Sequence, residues 1–112
     1  MKIYHNPRCS KSRQTLALLQ EKGVEPEVVL YLDTVPTNDE LKILLAKLQI
    51  RPMQLVRKGE AVWKEKFKGK ELSDDEIIAA MISNPKLIER PIVVKDNKAV
   101  LGRPPENALE LI

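Results

Sequence analysis

The first thirty-two residues constrain the fold more than any other stretch, because they hold a strand, a helix and a second strand with almost no chain between them. Lys2 to His5 reads as a short strand. Ser10 to Lys22 reads as a helix, since Ser12, Leu16 and Leu19 recur at three- to four-residue spacing and Gly23 supplies a C-terminal stop. Glu27-Val28-Val29-Leu30-Tyr31-Leu32 is β-branched and apolar, and reads as a buried strand. A strand, a helix and a strand in so short a span imply a βαβ unit with parallel strands.

The middle of the chain is helical in pattern. Thr37-Asn38-Asp39-Glu40 is a capping box, in which Thr37 accepts from the amide of Glu40 while Glu40 reaches back. It opens a helix with Leu41, Leu44, Leu45 and Leu48 on one face. Pro52 starts a short helix through Arg57, and Ser73-Asp74-Asp75-Glu76 caps another that carries Ile77, Ile78, Met81 and Ile82 to Asn84-Pro85. One more helical turn is expected over Pro85 to Ile88. Pro91 to Val94 and Ala99 to Leu101, joined at Asp96-Asn97, form a hairpin pattern, and Pro104-Pro105 begins a last helix to Ile112.

The order is therefore β-α-β, a helical insertion at about 36–88, then β-β-α. It predicts one α/β domain over 1–112, long enough at 112 residues to build a core without disulfide or metal support. This order matches a thioredoxin-like fold, in which the first strand delivers a cysteine to a helix N-terminus. The peptide before the third strand is typically cis in that fold, so a cis Arg90-Pro91 bond is expected, with Pro91 as the cis-proline.

Cys9 is the only cysteine, and it stands between Arg8 and Ser10-Lys11-Ser12 where the first helix starts. Basic neighbours and unpaired helix amides both favour thiolate, the nucleophilic form. A buried structural thiol is the alternative, because free cysteine is among the most buried residue types. Ser12 occupies the place of the second thiol in a Cys-x-x-Cys pair, so a covalent adduct on Cys9 needs an external thiol to resolve it. Ser12 can hydrogen-bond the thiolate or cap the helix. His5 can lower the Cys9 pKa when protonated, or hold the loop by a structural hydrogen bond.

One cysteine makes no internal disulfide, which points to a reducing compartment. Met1-Lys2-Ile3-Tyr4-His5 turns polar too soon for a signal peptide, and no apolar run reaches membrane-spanning length. A cytoplasmic monomer with no membrane partner is the expectation. The net charge of +3 is too mild to imply nucleic-acid binding. The basic stretch Lys64 to Lys70, with Trp63 and Phe67, reads as a solvated loop because glutamate interrupts it and acidic residues follow. One Cys and one His make no protein zinc site.

Arg57, Arg90 and Arg103 stand out by position. A guanidinium pairs two oxygens at once and stays charged, which suits a tetrahedral oxyanion, although any one of them alone fits an ordinary surface role. Their joint meaning comes from resemblance. The segments His5-Asn6-Pro7-Arg8-Cys9-Ser10-Lys11-Ser12-Arg13, Glu89-Arg90-Pro91-Ile92-Val93-Val94 and Leu101-Gly102-Arg103-Pro104-Pro105-Glu106 closely resemble the glutaredoxin-linked arsenate reductases, the ArsC family. The likeness runs along essentially the whole chain, including Val29-Leu30-Tyr31-Leu32 and Leu55-Val56-Arg57-Lys58. It implies an arsenate reductase in which Cys9 is the nucleophile and Arg57, Arg90 and Arg103 bind the oxyanion. His5 and Ser12 match positions that tune the cysteine. It implies no bound cofactor, with glutathione as co-substrate and glutaredoxin as partner. Plasmid-borne members carry a loop closer to His-Asn-Pro-Ala-Cys-Gly-Thr-Ser and extend further at the C-terminus. With Arg8, Ser10 and Lys11, this chain looks more like the short chromosomal (YfgD-like) branch.

Three rivals define the tests. Phosphatase-like arsenate reductases use Cys-x5-Arg; the residue six places after Cys9 is Thr15, and Arg13 comes two positions early, so that reading fails. Spx-type regulators share the fold but sense redox through Cys-x-x-Cys, which Ser12 breaks. A monothiol deglutathionylating oxidoreductase needs only Cys9, and would survive loss of the three arginines.

Overall fold

Four short strands form one sheet in the order β2-β1-β3-β4, with β1 at Lys2–Tyr4, β2 at Glu27–Val29, β3 at Ile92–Lys95 and β4 at Lys98–Leu101. The structure is a computed structural model and describes residues 1–112. β1 pairs parallel to β2, with Ile3 opposite Val28, and antiparallel to β3, with Ile3 opposite Val93. β3 and β4 make the hairpin, and Asp96 turns it at φ 54°, a left-handed conformation that Asp tolerates. The arrangement is a thioredoxin-like α/β sheet.

Helix α1 (Ser10–Glu21) lies between β1 and β2 in sequence, and Gly23 follows it at φ 82°, where a residue without Cβ is unstrained. Fully buried Ile3, Leu19, Val93 and Ala108 meet with Leu111 in one cluster, so the central strands, α1 and the C-terminal segment share a core. Burying each of Ile3, Leu19, Val93 and Leu111 contributes about 1.5–3 kcal/mol, which a three-residue strand needs to stay in place. The last segment, Pro105–Leu111, is a 3-10 helix.

Two compact units result, one of Met1–Thr34 with Arg90–Ile112 and one of Val35–Glu89. The second contains α2 (Asn38–Leu48), α3 (Pro52–Leu55), α4 (Ala61–Lys66), α5 (Asp74–Ser83) and a 3-10 turn at Pro85–Leu87. Both capping boxes form: Glu40 N–H donates to Thr37 Oγ1 at 3.1 Å and Glu76 N–H to Ser73 Oγ at 3.2 Å. α5 packs on α2 and α3, and its Ile77, Ile78 and Met81 are buried.

The C-terminal helix expected to run to Ile112 is thus a 3-10 helix that ends at Leu111, and three further expectations change. β2 stops at Val29, and Val28 is 43% exposed because β2 is an edge strand paired only with β1. The apolar run then breaks where the Leu30 carbonyl accepts from Asp33 and Thr34. Lys64 to Lys66 is helical rather than loop, since α4 anchors itself by buried Trp63, against which Phe67 stacks at 5.5 Å. The helix begun at Pro52 ends at Leu55, where Val56 leaves it to bridge Ile88.

Candidate active site

The loop from β1 to α1 is shaped by Asn6. Its carbonyl accepts from Cys9 N–H at 3.0 Å, and its side-chain Oδ1 accepts from Arg8 N–H at 3.0 Å. Such an Asx turn reverses the chain within the loop and leaves Cys9 as the N-cap residue of α1, extended at φ −93° and ψ 123°. Upstream, His5 N–H still bonds Val29 O at 2.9 Å, which ties the loop to the sheet.

The Cys9 side chain makes no cap hydrogen bond, and the first amides of α1 face the sulfur instead. Partial burial raises the thiol pKa. Against that, the Ser12 N–H, the Arg90 guanidinium (by hydrogen bond and by charge) and the Lys11 N–H all favour thiolate, and the net shift is downward. The side chains of Arg8 and Lys11 point into solvent. It is the amide of Lys11, rather than its ammonium, that acts on the sulfur.

Ser12 is fully buried, and its hydroxyl is occupied on the loop side. It accepts from Asn6 N–H at 3.0 Å and lies 2.7 Å from His5 Nδ1. Burial, with the charge of Arg13, lowers the His5 pKa below its ordinary value, so the ring is neutral near pH 7. His5 is therefore placed to hold the loop through Ser12, and its lowered pKa disfavours the charged ring that an electrostatic role would need. Ser12 likewise reaches the sulfur by its backbone, whereas its hydroxyl belongs to the buried pair with His5.

Arg103 comes from the turn after β4. Its Nη1 is 3.9 Å from Cys9 Sγ and donates to the Arg90 carbonyl at 3.4 Å. Arg90 and Arg103 both precede cis X-Pro peptides, Arg90-Pro91 and Arg103-Pro104, of which only the first was anticipated. The structure thus brings His5, Cys9, Ser12, Arg90 and Arg103 together in one unit. Arg57 belongs to the helical unit, where it pairs with Glu60 at 3.4 Å and Glu89 at 3.9 Å.

Two polar residues next to this site escaped the sequence reading: Thr15, fully buried in α1, and Asn107 in the C-terminal 3-10 helix. Thr15 falls on the buried face with Ser12 and Leu19, and a hydroxyl on an apolar face was the available signal.

A thiolate under two guanidinium groups can attack an electrophilic centre whose oxygens carry negative charge, because the cations hold the oxygens and offset charge that develops on them. No group of three or more His, Cys, Asp or Glu side chains is placed to hold a metal ion, and no helix is long and apolar enough to cross a membrane.

Comparison with known proteins shows a family. The model of the ArsC family matches residues 4–111. The chain is 54% identical to the uncharacterized protein YfgD of Escherichia coli K12, over all of this chain and 96% of that protein. It is 44% identical to an arsenate reductase of Haemophilus influenzae, over 98% of this chain and 97% of that one. Among solved structures, an arsenate reductase from Vibrio cholerae superimposes with a TM-score of 0.96 at 50% identity, over 99% of this chain and 96% of that one.

Proposed function

The chain belongs to the ArsC family, and on that footing we propose that it is an arsenate reductase with Cys9 as nucleophile. The observation that carries the proposal is the convergence of Arg90 and Arg103 on a thiolate-favouring Cys9. Arsenate is a tetrahedral oxyanion, and bidentate guanidinium contacts suit its oxygens. Arg57 is proposed as the third oxyanion ligand on the strength of the family resemblance. His5 and Ser12 act on Cys9 by fixing the first turn of α1, whose amides stabilise the thiolate.

In the proposed reaction the Cys9 sulfur forms a bond to arsenic and one oxygen leaves as water, after protonation. The two electrons that convert As(V) to As(III) come from two external thiols, which leave joined as a disulfide. Glutathione is the first of these and glutaredoxin the second. Cys9 is the only thiol in the chain, so it holds the arsenic but does not supply the resolving sulfur. Arsenite leaves on hydrolysis and Cys9 returns to thiolate.

The deciding experiment is arsenate-dependent NADPH oxidation, coupled through glutathione, glutaredoxin and glutathione reductase, with Cys9→Ser alongside. Turnover in the wild type and none in Cys9→Ser is the expected outcome. Absence of wild-type turnover, with Cys9-dependent release of glutathione from a glutathionylated protein, would replace the proposal with the deglutathionylation reading.

A further inference from the structure

The backbone that carries Arg103 is gripped at three successive carbonyls. Thr15 Oγ1 is 3.0 Å from the Gly102 carbonyl and 2.8 Å from the Lys11 carbonyl, so its one proton is shared between them. The Lys11 contact is the ordinary back-bond of a helical threonine, whereas the Gly102 contact ties α1 to a turn 87 residues away. Asn107 Nδ2 donates to the Leu101 carbonyl at 3.1 Å and to the Arg103 carbonyl at 3.2 Å. Gly102 N–H donates to Pro91 O at 2.9 Å. Both backbone polar groups of Gly102 are therefore committed, one to α1 and one to the residue after Arg90.

Cys9 heads the helix that Thr15 belongs to, and Arg103 follows the residue Thr15 holds. We propose that Thr15 and Asn107 are positioning residues that set the Arg103 guanidinium against Cys9 and thereby set the affinity of the site for a tetrahedral oxyanion. The proposal rests on the reading of Cys9 as an oxyanion-directed nucleophile. An arginine side chain is long and flexible, so fixing the backbone on which it stands removes freedom that oxyanion binding would otherwise have to remove.

Thr15→Val keeps the volume and deletes the hydroxyl; Thr15→Ser keeps the hydroxyl. Loss of one such hydrogen bond is expected to raise the arsenate KM about three- to tenfold in Thr15→Val, with kcat little changed and Thr15→Ser close to wild type. Asn107→Ala, at a half-buried position, should act in the same direction and provides the test if Thr15→Val does not fold. In an Arg103→Ala background the effect of either substitution should largely disappear, which a general loss of packing would not produce. A KM rise of equal size in the Arg103→Ala background, or no rise at all, overturns the proposal.

A second readout needs no arsenate turnover: the ratio of Cys9 alkylation rates by anionic iodoacetate and neutral iodoacetamide. Arg103→Ala should lower that ratio, and Thr15→Val should lower it comparably. If wild-type turnover is absent while the ratio falls as described, the functional reading fails and the positioning role stands. An unchanged ratio in both Thr15→Val and Asn107→Ala refutes the positioning role itself.

Discussion

Gly102→Ala tests whether the site depends on close packing behind it. A Cβ at this position would lie 2.8 Å from Pro91 Cγ, 2.8 Å from Thr15 Cγ2 and 2.8 Å from Thr15 Oγ1. Ordinary van der Waals contact starts at 3.4 Å, so all three gaps must open at once. The segment has little room to slide, because its N–H is held by Pro91 O and its carbonyl by Thr15. Overpacking of this kind costs about 1–3 kcal/mol. The lower chain entropy of unfolded Ala offsets about 0.4–1 kcal/mol of that. With three contacts to relieve at once, the middle of that range, a net loss of about 1–2 kcal/mol, is expected, and corresponds to a Tm lower by roughly 4–12 °C for a chain of this size. Arg103 should move with the segment, so arsenate KM should rise together with the loss of Tm. Gly59→Ala is the control, since nothing lies within 4 Å of a Cβ there. Thermal unfolding by circular dichroism compares the three proteins. A Tm for Gly102→Ala at or above that of the wild type would refute the reasoning, because it would mean the turn gives way without cost.

Other consequences can be measured directly. Cys9 should titrate below the ordinary cysteine value when its alkylation rate is followed against pH, and Arg90→Ala should move that midpoint upward. The same substitution removes a charge-assisted contact of about 1.5–3 kcal/mol, so kcat/KM for arsenate should fall roughly 10- to 150-fold. Because the folded-state pKa of His5 is lowered, its contribution to stability is complete above about 6.5 and is lost as pH falls through the folded value. Urea midpoints taken across that range should decline with acid more steeply for the wild type than for His5→Asn; parallel curves would remove His5 as the cause. Ser73→Ala breaks the α5 capping box and should lower stability by about 1 kcal/mol without altering the Cys9 titration, readable from denaturant melts.

Local features were legible in the sequence wherever short-range chemistry decides them. Both capping boxes depend on a side chain and an amide three residues apart, so Thr37 with Glu40 and Ser73 with Glu76 could be identified without knowing the fold. The same holds for the hairpin turn at Asp96-Asn97 and for the N-cap place of Cys9, where loop, helix start and thiol are adjacent in the chain. The length of β2 was misjudged because an apolar, β-branched run looks alike in a central strand and at an edge; only pairing distinguishes them. α4 was missed because its charges dominate a short window, whereas burial of Trp63 decides its structure.

What the sequence by itself determined is the helix caps and a single cysteine set at a helix start, consequences of neighbours within about four residues, together with the strand-helix-strand order whose short connections require parallel pairing. Only the tertiary structure decided which groups act on that cysteine. Arg90 and Arg103 reach Cys9 because β3 returns beside β1 and carries β4 with it, and Thr15 meets Gly102 because α1 packs against the C-terminal 3-10 helix. Burial also lowers the His5 pKa and sets its ring against Ser12, and burial is a quantity that no local window contains. The reactivity of the thiol is local in origin; its orientation toward an oxyanion is a property of contacts between residues far apart in the chain.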